Sequence, residues 1–109
     1  MEIDFKDKKL RELCEQKALA EHKLGRPCAQ KLRSRLADLL AARCVSDLMA
    51  GRPHPLHGDR EGQFAVDLQG GRRLVFTPCH NPIPLLENGG TDWTRVTRIR
   101  IIFVGDYHD

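Results

Sequence analysis

An α+β fold, with helices packed on one face of an antiparallel sheet, is what the sequence predicts. Three observations predict it. Apolar residues recur at helical spacing through the first half of the chain, from Leu10 to Leu40. In the second half they alternate, from Phe64 to Val104, as in half-buried strands. The length, 109 residues, suits one domain around one modest core.

Taken in order, MEIDF alternates and reads as a short first strand. KDKKLRELCEQKALAEHKLG places Leu10, Leu13, Cys14 and Ala18 on one helical face, and Gly25 ends that helix. Pro27 suits the first turn of a second helix. There Cys28, Leu32, Leu36, Leu39 and Leu40 form the apolar stripe, while Lys31, Arg35 and Asp38 mark the polar face. VSDLMAG reads as a short third helix closed by Gly51. QFAVDL and RRLVFTP are two strands joined through Gly70 and Gly71, and TRIRIIFV is the last. Between the last two lies CHNPIPLLENGGTDWTR, rich in Pro, Gly and Asn and longer than a hairpin needs. The expected order is β-α-α-β-β-β.

Composition narrows the function classes. The N-terminal MEIDFKDKK has no apolar signal-peptide core, and no apolar run reaches membrane-spanning length, so a cytoplasmic protein is expected. Cys14, Cys28, Cys44 and Cys79 are unevenly spaced with no CxxC, which fits small buried thiols and no disulfide framework. The net charge of +3 is too modest for strong binding to free nucleic acid. All six lysines stand at or before Lys31, whereas residues 51 onward carry seven arginines and no lysine. Guanidinium forks match phosphate oxygens, although a GC-rich coding sequence produces the same bias.

Strand parity sorts the second half into two faces. If Phe64, Val66, Leu68, Leu74, Phe76, Ile99, Ile101 and Phe103 face the helices, then Asp67, Arg73, Val75, Arg98, Arg100, Ile102 and Val104 share the other side. An arginine-bearing sheet face without a covering helix is expected. Cross-strand pairing of Arg73 or Arg100 with Asp67 is the plainer alternative.

The stretch HPLHGDREGQFAVDL, followed by GGRRLVF and ending in GDYHD, closely resembles the RelE/ParE toxin superfamily of bacterial toxin–antitoxin systems, nearest its HigB branch. The resemblance implies a small RelE-like domain over residues 1–109, with a twisted antiparallel sheet and two N-terminal helices. It implies mRNA cleavage, typically on the ribosome, without a cofactor or metal. It also implies a helix-turn-helix antitoxin partner, through which alone the toxin would meet operator DNA. Carried over, the branch's functional histidine falls on His54, its strand arginine on Arg73, and its terminal Asp-Tyr-His on Asp106, Tyr107 and His108. The chain departs from the branch pattern at His57, where a lysine is usual, in the long 79–95 connection, and in the extra Asp109.

The chemistry is coherent with that resemblance. RNA cleavage needs a base for the 2′-OH, an acid for the leaving oxygen and cations for the phosphate. His54 and His108 form the expected acid–base pair, in either order, because imidazole serves both roles near neutrality. Arg73 suits the phosphate, Tyr107 can stack on a base, and Asp106 can orient an imidazole. His57, Arg60, Arg72 and Arg100 are the further RNA-contact candidates. His57 equally fits a surface residue, Asp59, Arg60 and Glu61 a local turn network, and Arg72 plain hairpin surface. Trp93 fits an anchor for the long connection, or a contact for antitoxin or ribosome. A zinc site from His54, His57, Cys79, His80 and His108 is a weak alternative, because HxxH lacks a second matched pair. Two rival functions remain open: inhibition of DNA gyrase, as in the ParE branch, and a degenerate member that only binds its antitoxin.

Overall fold

The computed structural model describes residues 1–106. Strand β1 (Glu2–Phe5) leads into helices α1 (Lys8–Glu15), α2 (Lys17–Leu24) and α3 (Arg26–Ala41). Strands β2 (His54–Pro55), β3 (Phe64–Asp67), β4 (Arg73–Pro78) and β5 (Arg98–Gly105) follow. The α+β class and the one-sided helical layer are as the sequence predicts, with one extra helix and one extra strand.

The extra helix comes from a break at Gln16, whose φ of −106° and ψ of 106° are extended. The break has a physical reason. Leu10 and Cys14 of α1 pack on the core, and an unbroken helix would next turn Lys17 and Glu21 inward. Re-aiming the chain at Gln16 brings Ala20 and Leu24 inward instead, and Glu21 pairs with Arg26 at 3.7 Å. Asp7 caps α1 by accepting from the Leu10 N–H at 2.9 Å. Gly25, at φ +81°, joins α2 to α3. Helix α3 buries Cys28, Ala29, Leu32 and Leu39, while Leu40, expected on the apolar stripe, stands 63% exposed. The Met1 ammonium donates to the carbonyls of Leu39, Leu40 and Ala42, adding positive charge where the helix dipole is negative.

VSDLMAG is not a helix. Only Val45–Asp47 makes one 3₁₀ turn, because the Val45 and Ser46 N–H groups donate to the carbonyls of Val96 and Trp93. That segment braces the long connection.

The sheet order is β1-β5-β4-β3-β2, antiparallel throughout except for the parallel β1–β5 pair. One face carries the main core: Phe64, Val66, Leu68, Leu74, Phe76, Ile99 and Ile101 pack against Cys28, Leu32 and Leu39. Phe103 departs from the expected parity. Val75 pairs with Phe103 but Phe76 with Ile101, so β5 carries an extra residue, Ile102. This bulge reverses the alternation. Phe103 turns to the far face beside Leu56, Ala65 and Val75, and Val104 turns toward the helices.

The 79–95 connection is ordered. Leu85 bridges Thr91, the Leu86 N–H donates to the Gly90 carbonyl at 2.7 Å, and the Asp92 N–H to the Pro84 carbonyl at 2.9 Å. These bonds make a small hairpin. Trp93 anchors it, its ring edge-on to Phe64 at 4.8 Å, and Val96 is fully buried. Hydrogen bonds from the Thr94 hydroxyl and then from Arg95 hold the Asp92 carboxyl below its ordinary value of 3.8. Its contribution is therefore present above that value and lost as pH falls through the depressed one. Acid titration followed by Trp93 fluorescence should show the hairpin loosening below pH ~3.8, and Asp92→Asn should remove that step.

The cysteines are free among the described residues; only Cys28 is buried, and Cys14, Cys44 and Cys79 are half-buried. Burial, with Glu15 nearby, pushes the Cys14 thiol up to about 12. Cys14 should resist alkylation at pH 8 in the native protein, as mass mapping would show, and react once the chain is unfolded.

Candidate functional site

The sheet face turned away from the helices carries the candidate residues in rows. One row is His54, Ala65, Val75 and Phe103, set by the β2–β3, β3–β4 and β4–β5 registers. The neighbouring row is Asp67, Arg73 and Gly105, with Arg52 at its outer end. His54 and Arg73 are thus two strands apart, about 10 Å laterally, and one row offset.

His54 is placed by a two-residue strand that the sequence did not reveal. Its Nδ1 lies 2.8 Å from the Arg52 carbonyl oxygen. A carbonyl only accepts, so Nδ1 carries the hydrogen and Nε2 of the neutral ring keeps its lone pair. That tautomer is the one a general base requires.

Arg52 is the site residue that sequence reasoning missed. Its Nε donates to Asp67 Oδ2 at 2.8 Å, while Arg73 Nε lies 3.4 Å from Asp67 Oδ1. One carboxylate thus holds two guanidinium groups, in the row next to that of His54. The signal was faint. Arg52 follows Gly51 and precedes Pro53, and it holds φ +48°, the left-handed region that a non-glycine residue enters at a cost. The Asp67 N–H donates to the Gly51 carbonyl at 2.6 Å, which fastens this segment to β3.

Arg60 approaches the same rows. Its Nη1 donates to Gln63 Oε1 at 3.2 Å, and its guanidinium sits 5.7 Å from the Phe103 ring centroid. The side chain therefore reaches from the loop before β3 to β5. Asp106 follows β5 at the Arg73 end, with Oδ2 4.0 Å from where a Cβ on Gly71 would stand. Tyr107 and His108 lie outside the described residues.

The remaining candidates stand apart. Arg72 lies on the helix side, where its Nη1 is 3.4 Å from the Leu24 carbonyl at the end of α2. Arg100 is four residues from the Arg73 level, about 13 Å along the strand. It pairs there with Asp4 at 3.3 Å, and Arg98 pairs with Glu2. The arginine-bearing face exists, but these cross-strand pairs make that end a charge-paired ladder. The Phe5 N–H and then Arg100 hold the Asp4 carboxyl below its ordinary value. His57 is exposed and lies 3.5 Å from Glu61 through Nδ1. Among the described residues, no three His, Cys, Asp or Glu side chains are grouped to hold a metal ion. His80 accepts instead from the Thr97 and Arg98 N–H groups through Nε2, at 3.0 and 3.2 Å.

The chain is thus a small α+β domain, a five-stranded sheet backed by helices on one face, with His54 and the Asp67-paired arginines on the other. Solved structures with this fold include the YoeB/ParE toxin from Agrobacterium tumefaciens, with TM-score 0.60 and 12% identity over 99% of this chain and 100% of that one. They also include YoeB from Staphylococcus aureus. In a YoeB–YefM complex it matches with TM-score 0.56 and 16% identity, over 100% of this chain and 98% of that one. As a dimer it matches with TM-score 0.58 and 15% identity, over the same shares. No family model and no curated protein matches the sequence. The fold that the HPLHGDREG and DYH motifs imply is therefore the fold observed. No described helix is long and apolar enough to cross a membrane.

Proposed function

We propose that the chain is the toxin of a type II toxin–antitoxin pair, of the HigB-like branch, and that it cleaves mRNA on translating ribosomes in the cytoplasm. The observation that carries this reading is His54, fixed through Nδ1 on the Arg52 carbonyl, one row from Arg73 on the same sheet face. His54 Nε2 takes the proton from the ribose 2′-OH, and the 2′-oxygen attacks the adjacent phosphorus. Arg73 and Arg52 exchange Asp67 for the phosphate oxygens as charge builds on the five-coordinate phosphorus. His108 protonates the departing 5′-oxygen, oriented by Asp106, and Tyr107 stacks on a base; these three roles rest on the motif resemblance. A proton-transfer pair with guanidinium clamps completes this reaction without a cofactor. The partner is a helix-turn-helix antitoxin, through which the toxin meets operator DNA, and the solved YoeB–YefM complex supports a protein partner.

The test is primer-extension mapping of a reporter mRNA in a reconstituted translation reaction. Cuts that require ribosomes and vanish in His54→Ala and His108→Ala are expected. Intact mRNA with the wild-type protein overturns the reading. DNA gyrase inhibition is the second reading, favoured by the ParE likeness of the Agrobacterium structure, and a supercoiling assay on the same protein separates the two. Antitoxin binding without either activity would mark a degenerate member.

A further inference from the structure

The insertion hairpin and the histidine loop enclose a cleft of about 510 Å³ that none of the chemistry above uses. Its walls are Pro55, His57 and Glu61 from the loop, and Asn88, Thr91 and Trp93 from the hairpin. The size is that of small-molecule sites, and the wall composition is specific. Trp93 supplies an aromatic surface held in place by Phe64. Asn88 Oδ1 accepts the Gly90 N–H at 2.9 Å, which commits the amide oxygen and leaves its NH₂ as a donor. Glu61, whose Oε2 lies 3.5 Å from His57 Nδ1, offers a carboxylate from the loop wall and would exchange that exposed pair for a ligand's donors.

We propose that this cleft binds a guanine base of the RNA strand beside the cleaved phosphate, and so sets the sequence preference of cleavage. The inference rests on the RNA-cleaving reading above. Single-stranded RNA is read by stacking on aromatic side chains and by hydrogen bonds to base edges. Guanine alone presents two adjacent donors, N1–H and N2–H₂, to one carboxylate, with acceptors left for an amide NH₂. Adenine and cytosine would bring a ring-nitrogen lone pair against Glu61, and uracil offers it a single donor. The cleft begins at Pro55, the residue after His54 in the edge strand β2, on the side where Trp93 meets Phe64, so an RNA strand on the His54 face would turn over the sheet edge to reach it.

Trp93 is the only tryptophan, so its fluorescence reports on this cleft without any cleavage. GMP, AMP, CMP and UMP would be titrated into the full-length protein. Saturable quenching by GMP, with about tenfold weaker binding of AMP and CMP, is expected. Glu61→Gln and Asn88→Ala should each weaken GMP binding by about tenfold, with unfolding temperatures near wild type because both side chains are exposed. No quenching, or equal quenching by all four that neither variant changes, overturns the inference. If GMP binds as expected but no mRNA is cut, the nuclease reading fails and the guanine site stands. If mRNA is cut at the same sequences by wild type and both variants, the nuclease reading stands and the guanine site fails.

Discussion

The His54→Ala protein is expected to cut mRNA about 10²–10⁴-fold more slowly than wild type, the usual weight of a general base. Its fold should survive, because the imidazole lies at the sheet edge and, among the described residues, is held by its hydrogen bond to the Arg52 carbonyl. Losing that bond costs about 1 kcal/mol. His54→Asn separates the two roles. An amide NH₂ can still donate to the Arg52 carbonyl, but no basic nitrogen remains. The Asn variant should therefore unfold near the wild-type temperature and be as inactive as the Ala variant. Single-turnover cleavage on ribosomes, beside thermal unfolding, gives both readouts. Normal cleavage by either variant would remove His54 from the chemistry.

Phe76→Ala should cost about 3–5 kcal/mol, a large share of the stability of a domain this size. Phe76 is fully buried in the central strand β4, and its ring stacks on Phe64 at 5.5 Å. Phe64 in turn meets Trp93 at 4.8 Å, so one cavity would loosen both the main core and the foot of the insertion hairpin. Phe76→Leu keeps most of the volume and should cost less than half as much, about 1–1.5 kcal/mol. Urea titration followed by Trp93 fluorescence measures both. Equal midpoints for the two variants would show that the aromatic stack, and not the filled volume, carries the stability that Phe76 supplies.

The strands that pack on the helices were legible because their alternation is long and regular: Phe64, Val66 and Leu68 face Leu74 and Phe76 as read. The break at Gln16 was not, because no glycine or proline marks it; the cost of burying Lys17 and Glu21 decides it. The bulge at Ile102 was hidden for a related reason. IRIIFV reads as unbroken alternation with one apolar residue to spare, and only the register against β4 shows which residue is extra. In the candidate site, His54 and Arg73 were visible as motif residues. Arg52 was not, since its role depends on a two-residue strand and on Asp67 arriving from β3. Arg72 illustrates the reverse: beside Arg73 in sequence, it stands on the other side of the sheet, held at the end of α2.

The parallel pairing of β1 with β5 joins segments made far apart in time. Their cross-strand ion pairs span 96 residues of sequence. At ribosomal elongation rates of 5–20 residues per second, β1 would wait about 5–20 s for its partner. Until then β4 lacks one neighbour, and Phe103 and Gly105 are missing from the two rows that hold His54 and Arg73. The order of synthesis would thus keep the face that carries His54 and Arg73 incomplete while the chain is still growing, an interval in which a partner protein could reach the sheet first.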